Sequence, residues 1–175
     1  MSGSAGHERD LDSTTLRHAF GRFPTGVTVV TTLGLDGAPV GLTASSFNTV
    51  SLDPPLILWS IRLAAPSLAA FRANAFFAVN VLGTDQHDVC FTFARPAPDK
   101  FAGITYRHGR GGAPVLAGAL ASLQCEVWAR YPGGDHEICV GRVLDIDIAD
   151  GDPLVFHAGA LRRLSPADPA SPTHR

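Results

Sequence analysis

Lysine and glutamate are nearly missing from this sequence. One Lys (Lys100) and three Glu stand beside thirteen Arg and thirteen Asp in 175 residues. Lysine and glutamate are the usual surface residues of long solvent-facing helices, so the composition disfavours a helical bundle. The 18 glycines and 13 prolines instead fit many turns between short strands. The composition therefore predicts a single β-rich domain.

Cysteine is also scarce. Cys90, Cys125 and Cys139 are odd in number, lack Cys-x-x-Cys spacing and lie within apolar stretches. A disulfide framework and a zinc site are therefore disfavoured, and we expect buried, reduced thiols. The seven histidines are scattered without metal-ligand spacing, so no metal site is predicted.

No apolar run is long enough to span a bilayer, and the first twelve residues contain no apolar signal core. The formal net charge of -2 provides no attraction toward nucleic acid or anionic membranes. We therefore expect a cytoplasmic protein with neither nucleic acid nor membrane as a partner. We also expect a disordered leader at 1–12, a folded domain at 13–164 and a disordered tail at 165–175.

Hydrophobic spacing outlines the elements of the domain. A helix is predicted from Ser13 until Pro24 ends it, and a turn at Asp36-Gly37 joins two strands of a hairpin. Further helices are predicted after capping residues Ser67 and Thr84. The predicted strands are 27–33, 38–43, 56–61, 76–82, 122–130, 136–148 and 154–157. Six or seven antiparallel strands with a few short helices indicate a small Greek-key barrel.

The sequence contains none of the usual catalytic signatures. There is no Gly-x-Ser-x-Gly elbow, Walker loop or His-Glu-x-x-His, and no Gly-x-Gly-x-x-Gly follows a strand. An enzyme of this kind would rely on a bound cofactor for its chemistry.

One stretch is rich in small hydroxylated residues, from Gly41 to Phe47, where a predicted strand ends. Exposed N–H groups and hydroxyls there could hydrogen-bond a planar heterocycle or a phosphate. The alternative is a purely structural strand end that leads into the diproline turn at Pro54-Pro55.

An ordered set of short motifs resembles the flavin reductase family. The motifs are 23–31 (FPTGVTVVT), 40–47 (VGLTASSF), 51–56 (SLDPPL), 77–82 (FAVNVL), 99–103 (DKFAG), 133–136 (GGDH) and 140–143 (VGRV). Together they cover about residues 16–159. The chain departs from the family pattern at 62–66, which is more apolar than usual, and at Ala160-Leu161.

The resemblance implies a mainly β, FMN-binding split barrel with a few short helices. It also implies a homodimer that reduces FMN or FAD with NADH or NADPH and releases the reduced flavin to a separate flavin-dependent monooxygenase. A flavin-binding protein without turnover, for storage or sensing, is the alternative on the same fold. An oxidase of the pyridoxamine-phosphate type shares the fold too, but it would need an arginine-rich phosphate pocket, which the segment 43–46 fits poorly.

The resemblance also implies positions for the site. Thr43, Ala44, Ser45 and Ser46 would contact the flavin ring and ribityl chain, with Ser60 on the adjoining strand. The remaining implied positions are Ser67 at the phosphate, Lys100 and Phe101 at the phosphate or adenine end, and His136 at the nicotinamide, with Asp135 or Glu137 orienting the histidine. No catalytic acid or base is expected, because hydride passes directly between stacked rings.

Overall fold

The computed structural model describes residues 11–165. The predicted leader and tail lie outside these residues except at Leu11, Asp12 and Ser165. Asp12 is the N-cap of the first helix, where its carboxylate accepts hydrogen bonds from the N–H groups of Thr14 (2.8 Å) and Thr15 (2.9 Å). The proposed boundary of the domain at residue 13 stays a prediction.

Strands dominate the described chain. The helices are α1 (Ser13–Phe20), α2 (Leu68–Ala73) and α3 (His87–Ala94), with a short 3-10 turn at Arg110–Gly112. The strands are β1 (Thr25–Gly26), β2 (Thr28–Leu33), β3 (Pro39–Ala44), β4 (Asn48–Leu52), β5 (Pro55–Arg62), β6 (Phe76–Val81), β7 (Tyr106–His108), β8 (Pro114–Leu116), β9 (Ala121–Gly133), β10 (His136–Ile148), β11 (Val155–His157) and β12 (Ala160–Arg162).

Seven strands form the main sheet in the order β3-β2-β6-β9-β10-β5-β4, and every neighbouring pair is antiparallel. The two short sheets are β1-β11-β12 and β7-β8. The predicted antiparallel barrel with few helices is confirmed. Strands β1, β4, β7, β8 and β12 were not predicted, because each is short or flanked by Gly and Pro.

The two predicted hairpins are present. Strands β2 and β3 pair from Thr28↔Ala44 to Leu33↔Pro39, and Gly37 supplies the left-handed turn conformation with φ +78°. Strands β9 and β10 pair along almost their whole length around Gly134-Asp135. Strand β9 runs to Gly133, so the predicted turn at 132–135 is tighter than expected.

The helices differ from the predictions at their ends. Helix α1 stops at Phe20, before the predicted limit at Pro24, and none of its residues is buried. Helix α3 begins at His87 after Gln86, so Thr84 is not its cap; the Thr84 N–H instead donates to the Asp152 carbonyl at 3.0 Å. Ser67 does precede α2 as predicted, but its side chain makes no capping hydrogen bond.

Two apolar clusters fill the interior. In the first, Trp59 packs against Phe71 and Phe77 with ring centroids 4.9 and 5.9 Å apart, so that α2 closes one side of the barrel. In the second, Phe93 of α3 packs against Phe101, which lies in the segment between α3 and β7. The three cysteines are buried and unpaired, as predicted. No helix in residues 11–165 has the length and hydropathy needed to cross a membrane.

Candidate functional site

One cleft of about 960 Å³ lies along the edge of the main sheet, between β3, the end of β5 and the segment after α3. We call it the edge cleft. Its size is at the upper end of the roughly 300–1,000 Å³ range of small-molecule sites. All nine residues predicted for cofactor binding line it: Thr43, Ala44, Ser45, Ser46, Ser60, Ser67, Lys100, Phe101 and His136.

The floor of the edge cleft is β3, the edge strand of the main sheet. β3 pairs only with β2, so the backbone groups on its other side have no strand partner. The Gly41 carbonyl lies on that free side, because it accepts from Lys100. Backbone direction repeats every second residue in a strand, so the Thr43 N–H and carbonyl face the same side. β3 therefore presents amide donors and acceptors to the cleft.

The packing of α3 on this floor depends on a glycine. A Cβ added to Gly41 would meet two ring carbons of Phe93 at 2.7 and 2.8 Å, a separation that real side chains do not tolerate. The Thr43 hydroxyl donates to the Cys90 carbonyl at 2.7 Å and so fastens β3 to the same helix. Gly41 and Thr43 together determine how closely α3, which forms one wall of the edge cleft, packs against β3.

The serines of the cleft have different surroundings. The Ser46 hydroxyl accepts from the Ser60 N–H at 2.9 Å and donates to the Ser60 carbonyl at 3.2 Å. It joins the end of β3 to β5. Ser45 is exposed in the cleft, and Ser67 is half-buried at the start of α2. The hydroxyls of Thr43 and Ser46 are thus already bonded, so the end of β3 offers a ligand its backbone N–H groups and the hydroxyl of Ser45.

Lys100 is tied to backbone oxygens. Its ammonium donates to the Phe93 carbonyl at 2.9 Å and approaches the Gly41 carbonyl at 3.5 Å. Partial burial lowers the pKa of Lys100 below its usual value. The neighbouring carboxylate of Asp99 accepts from the N–H groups of Phe101 (2.8 Å) and Ala102 (3.2 Å), so it is used within its own turn.

Phe101 lines the edge cleft, but most of its side chain is packed in the hydrophobic core. The residue is buried, and its ring makes edge-on contacts with Phe93 at 4.9 Å and Tyr106 at 5.2 Å between centroids. Its side chain therefore supports the wall of the cleft.

His136 is the first residue of β10 and pairs with Arg62 of β5. Its Nδ1 lies 2.7 Å from the Asp135 carboxylate, and this hydrogen bond is the main cause that lowers the pKa of Asp135. Glu137 instead pairs with Arg72 at 2.8 Å and with Arg130 at 3.5 Å. Of the two residues considered for orienting His136, Asp135 is the one in contact.

Sequence reasoning missed several lining residues. Arg62, Arg95 and Tyr106 line the cleft, as does the segment 96–98. Arg62 stands in the departure from the family pattern. Arg95 lies between a helix and a Pro-Ala-Pro stretch, and a single sequence contains no signal that it borders the same cleft as β3.

The hydrogen-bond donors and cations that line the edge cleft suit a flavin. Edge-strand amides and small side chains leave space for a flat heterocycle, and the cations Arg62, Arg95 and Lys100 suit its phosphate. The one carboxylate in the lining, Asp99, is already bonded to backbone N–H groups. Within residues 11–165 no group of three His, Cys, Asp or Glu side chains could hold a metal ion.

The antiparallel barrel and the edge cleft define a split-barrel protein of the flavin-binding type. The model of the flavin reductase like domain matches residues 20–165. The chain belongs to the flavin reductase family, as predicted, and this family is one of oxidoreductases.

Two sequence relatives illustrate the match. The chain is 39% identical over 157 residues to the reductase subunit HsaB of a flavin-dependent monooxygenase from Rhodococcus jostii, which covers 89% of this chain and 80% of the relative. It is 42% identical over 154 residues to the FMN reductase (NADH) SmoA of Agrobacterium fabrum, covering 88% of this chain and 87% of the relative.

A solved structure agrees with these relatives. The NADH:FAD oxidoreductase SgcE6 of Streptomyces globisporus, in complex with NAD and FAD fragments, superposes with a TM-score of 0.85 at 40% identity, over 91% of this chain and 96% of that chain. The predicted split-barrel fold is therefore confirmed. Some relatives are longer: the chain covers 54% of a putative oxidoreductase from Sinorhizobium meliloti.

Proposed function

We propose that this chain is an NAD(P)H:flavin oxidoreductase that reduces FMN or FAD and supplies the reduced flavin to a separate monooxygenase. One observation carries the proposal: the residues that the family resemblance assigns to flavin and nicotinamide all line a single cleft. The Rhodococcus relative, a monooxygenase reductase subunit, and the Agrobacterium relative, an NADH-dependent FMN reductase, support the same activity.

The site works by holding two rings together. When bound, flavin and nicotinamide supply hydride transfer between themselves, so the protein needs no acid–base pair. We propose that Ser45 and Ser46 hold the flavin ring through backbone N–H groups at the end of the floor, where Thr43 and Ala44 also contact the flavin. Such donors stabilise the negative charge of a reduced flavin because they are already oriented by β3 and by the Ser46–Ser60 bonds.

The walls orient the rings and exclude water. The Thr43–Cys90 hydrogen bond joins α3 to the floor, and the Lys100 ammonium contacts both the Phe93 carbonyl of α3 and the Gly41 carbonyl of β3, so bonds within the chain fix the wall against the floor. Preorganisation of this kind is what brings two reactants to about 3–3.5 Å in the correct alignment. Ser60, Ser67, Lys100 and Phe101 complete the proposed flavin site.

We propose that His136 borders the nicotinamide and hydrogen-bonds its carboxamide or a pyrophosphate oxygen. The Asp135 carboxylate, 2.7 Å from Nδ1, orients the ring and leaves Nε2 for the ligand. NADH is the donor named for the Agrobacterium and Streptomyces relatives, and NADPH is the second donor to be tested.

We further propose a homodimer as the working unit. Helix α1 buries none of its residues; Phe20 at its end is 71% exposed, and Phe23, shortly after it, is 75% exposed. Strand β10 adds Ile146 and Ile148, which are 51% and 82% exposed. Exposed apolar surface of this extent favours burial against a second copy of the chain.

We also propose that the protein acts in the cytoplasm, because its three unpaired cysteines fit the reducing conditions there.

Steady-state oxidation of NADH and of NADPH, each with added FMN and FAD, tests the proposal. We expect turnover that saturates with flavin and with one of the two nicotinamides. Saturable flavin binding without nicotinamide oxidation would instead identify a storage or sensing protein. Absence of binding for both flavins would refute the whole proposal.

A further inference from the structure

Glu137 carries a nearly buried carboxylate that the proposed site does not use. Its side chain is 12% exposed, and the residue directly follows His136 in β10. Side chains alternate between the two faces of a strand, so Glu137 and His136 project to opposite faces. His136 lines the edge cleft, whereas Glu137 does not. Because a carboxylate is seldom buried to this degree unless it is paired, the partners of Glu137 indicate its role.

Two arginines from different elements pair with Glu137. Arg72 of α2 donates to the Glu137 Oε2 from its Nε at 3.0 Å and from its Nη2 at 2.8 Å, and this hydrogen bonding raises the pKa of Arg72. Arg130 of β9 places its Nε 3.5 Å from the other carboxylate oxygen, Oε1. One carboxylate thus joins helix α2 to the β9–β10 hairpin.

Further side chains bond the same end of α2. The last carbonyls of a helix have no partner within the helix. The Arg130 guanidinium donates to the Phe71 carbonyl, and the Asn74 side-chain amide donates to the carbonyls of Ala70 at 2.9 Å and Leu33 at 2.7 Å. Positive charge at the C-terminal end of a helix is also favourable. This end of α2 is therefore fixed to β2, β9 and β10.

The opposite end of α2 borders the edge cleft. The helix has six residues, so its two ends are only about 9 Å apart. Residues 65–67, which immediately precede it, line the cleft. Two residues earlier in the chain, the Leu63 N–H donates to the Asp135 carbonyl at 2.9 Å. Residues 65–67 are thus held between two attachments to the β9–β10 hairpin, one at Asp135 and the other, through α2, at Glu137.

We propose that Glu137 is a positioning residue, which holds residues 65–67 of the proposed flavin site at a fixed place relative to His136 of the proposed nicotinamide site. This inference rests on the proposed function. Glu137 acts through Arg72 and α2, because it does not line the cleft itself. Loss of its charge leaves Arg72 and the half-buried Arg130 without their shared counter-ion, so α2 shifts relative to β10. A small shift of this kind misaligns two reactants that must meet in a precise geometry.

Glu137→Gln in the full-length chain tests the inference, since glutamine keeps the shape of the side chain and removes its charge. We expect the dissociation constants of FMN and FAD, measured by flavin fluorescence, to rise roughly 3- to 10-fold. The kcat at saturating flavin and NADH should fall by a similar factor, because the two rings are no longer aligned. The KM for NADH should stay within about twofold, because Asp135 still orients His136.

Arg72→Gln tests the same contact from its other side and carries the test if Glu137→Gln does not fold. Arg72 is half-exposed, and Glu137 keeps Arg130 as a partner in this variant. Flavin binding should weaken in Arg72→Gln as well. Adding Arg72→Gln to Glu137→Gln should cause little further loss, because the pair is already broken.

Glu126→Gln is the matched control. Glu126 is the other glutamate within residues 11–165, and it pairs with Arg142 at 2.7 Å on the same hairpin, outside the cleft. Its replacement should leave both flavin dissociation constants and kcat unchanged, whatever its effect on unfolding in urea.

Equal losses of flavin binding in Glu126→Gln and Glu137→Gln would overturn the inference, because both would then act through overall stability. Unchanged flavin binding in Arg72→Gln would overturn it too. So would a raised KM for NADH in Glu137→Gln with unchanged flavin binding, which would assign Glu137 to the support of His136. Failure of the unaltered protein to bind either flavin would instead contradict the proposed function itself.

Discussion

Ser46 and Ser60 join the two ends of the split barrel through one hydroxyl. The Ser46 Oγ accepts from the Ser60 N–H at 2.9 Å and donates to the Ser60 carbonyl at 3.2 Å. Ser46 follows the edge strand β3, whereas Ser60 lies in β5, which is five places away from β3 in the sheet. This pair therefore determines where the floor of the edge cleft meets its β5 wall.

Replacement of Ser46 by Ala is expected to lower the free energy of unfolding by about 1–2 kcal/mol, because a half-buried N–H and carbonyl lose their shared partner. Flavin affinity should fall as well, since the backbone after β3 is no longer fixed. Urea denaturation and flavin titration measure the two effects. Ser45→Ala, at an exposed hydroxyl, is the control and should leave stability within about 0.5 kcal/mol. Equal stability of the two variants would contradict the role of the Ser46–Ser60 pair.

Gly41→Ala should widen the cleft. The new methyl group would lie 2.7 Å from a ring carbon of Phe93, so α3 must move away from β3 at a cost of about 1–3 kcal/mol. We expect a lower midpoint in urea and weaker flavin binding. Gly26→Ala is the comparison, because a Cβ at residue 26 meets nothing within 4 Å. Unchanged flavin affinity in Gly41→Ala would show that the α3 wall does not contact the ligand.

His136→Ala is expected to raise the KM for the nicotinamide by roughly 2- to 15-fold, the equivalent of a neutral hydrogen bond worth about 0.5–1.5 kcal/mol. Flavin affinity should hardly change, because Ala44, Ser45 and Ser46 lie on the floor rather than beside His136. Asp135→Asn keeps the imidazole but removes the charge that orients it, so a smaller rise in KM is expected. Wild-type kinetics in His136→Ala, or a loss of flavin binding, would contradict this assignment.

The three cysteines should resist thiol reagents in the folded protein. Burial raises the pKa of Cys125 to about 12 and that of Cys139 to about 11, and it also raises the pKa of Cys90. At pH 8 we expect almost no reaction with DTNB, and three reacting thiols in concentrated guanidinium. A fast native-state reaction of even one thiol would disagree with their burial.

The same shifts predict a pH dependence of stability. The folded chain keeps the thiol protons to a higher pH than the unfolded chain does, so the unfolded state releases protons first. The free energy of unfolding should therefore fall as the pH rises above the ordinary thiol pKa of about 9. Urea titrations at pH 8 and pH 10 measure this fall, and a Cys125→Ser variant should show less of it.

Much of the fold was predictable because apolar residues largely alternate with polar or small ones in the sequence of the two longest strands, β9 and β10. The β9–β10 hairpin and the β2–β3 hairpin are confirmed close to their predicted limits. Strand β4 was missed because its five residues are mostly exposed and show no inward pattern. The early end of α1 has a similar cause: residues 11–165 bury none of its side chains, so periodicity alone overestimated its length.

The residues that line the candidate site were predicted from the sequence, but the hydrogen bonds that their side chains make were not. Thr43 and Ser46 belong to a segment that was expected to offer N–H groups and hydroxyls to a ligand, yet their own hydroxyls bond to Cys90 and Ser60, which are 47 and 14 residues distant in the sequence. Such partners depend on tertiary packing and leave no local pattern. Arg95 was missed for the same reason, since only the packing of α3 on β3 brings it to the cleft.

The position of β6 in the sheet has a consequence for the kinetics of folding. The hairpins β2–β3, β4–β5 and β9–β10 each join strands that follow one another, so each can form by closing a short loop. Strand β6 instead pairs with β2 on one side and β9 on the other, both remote along the chain. Strand β5 pairs with β10 over a still longer separation, as Leu56 opposite Arg142 shows. Closing long loops costs entropy before contacts repay it, so we expect these long-range pairings, rather than the hairpins, to limit the rate of folding.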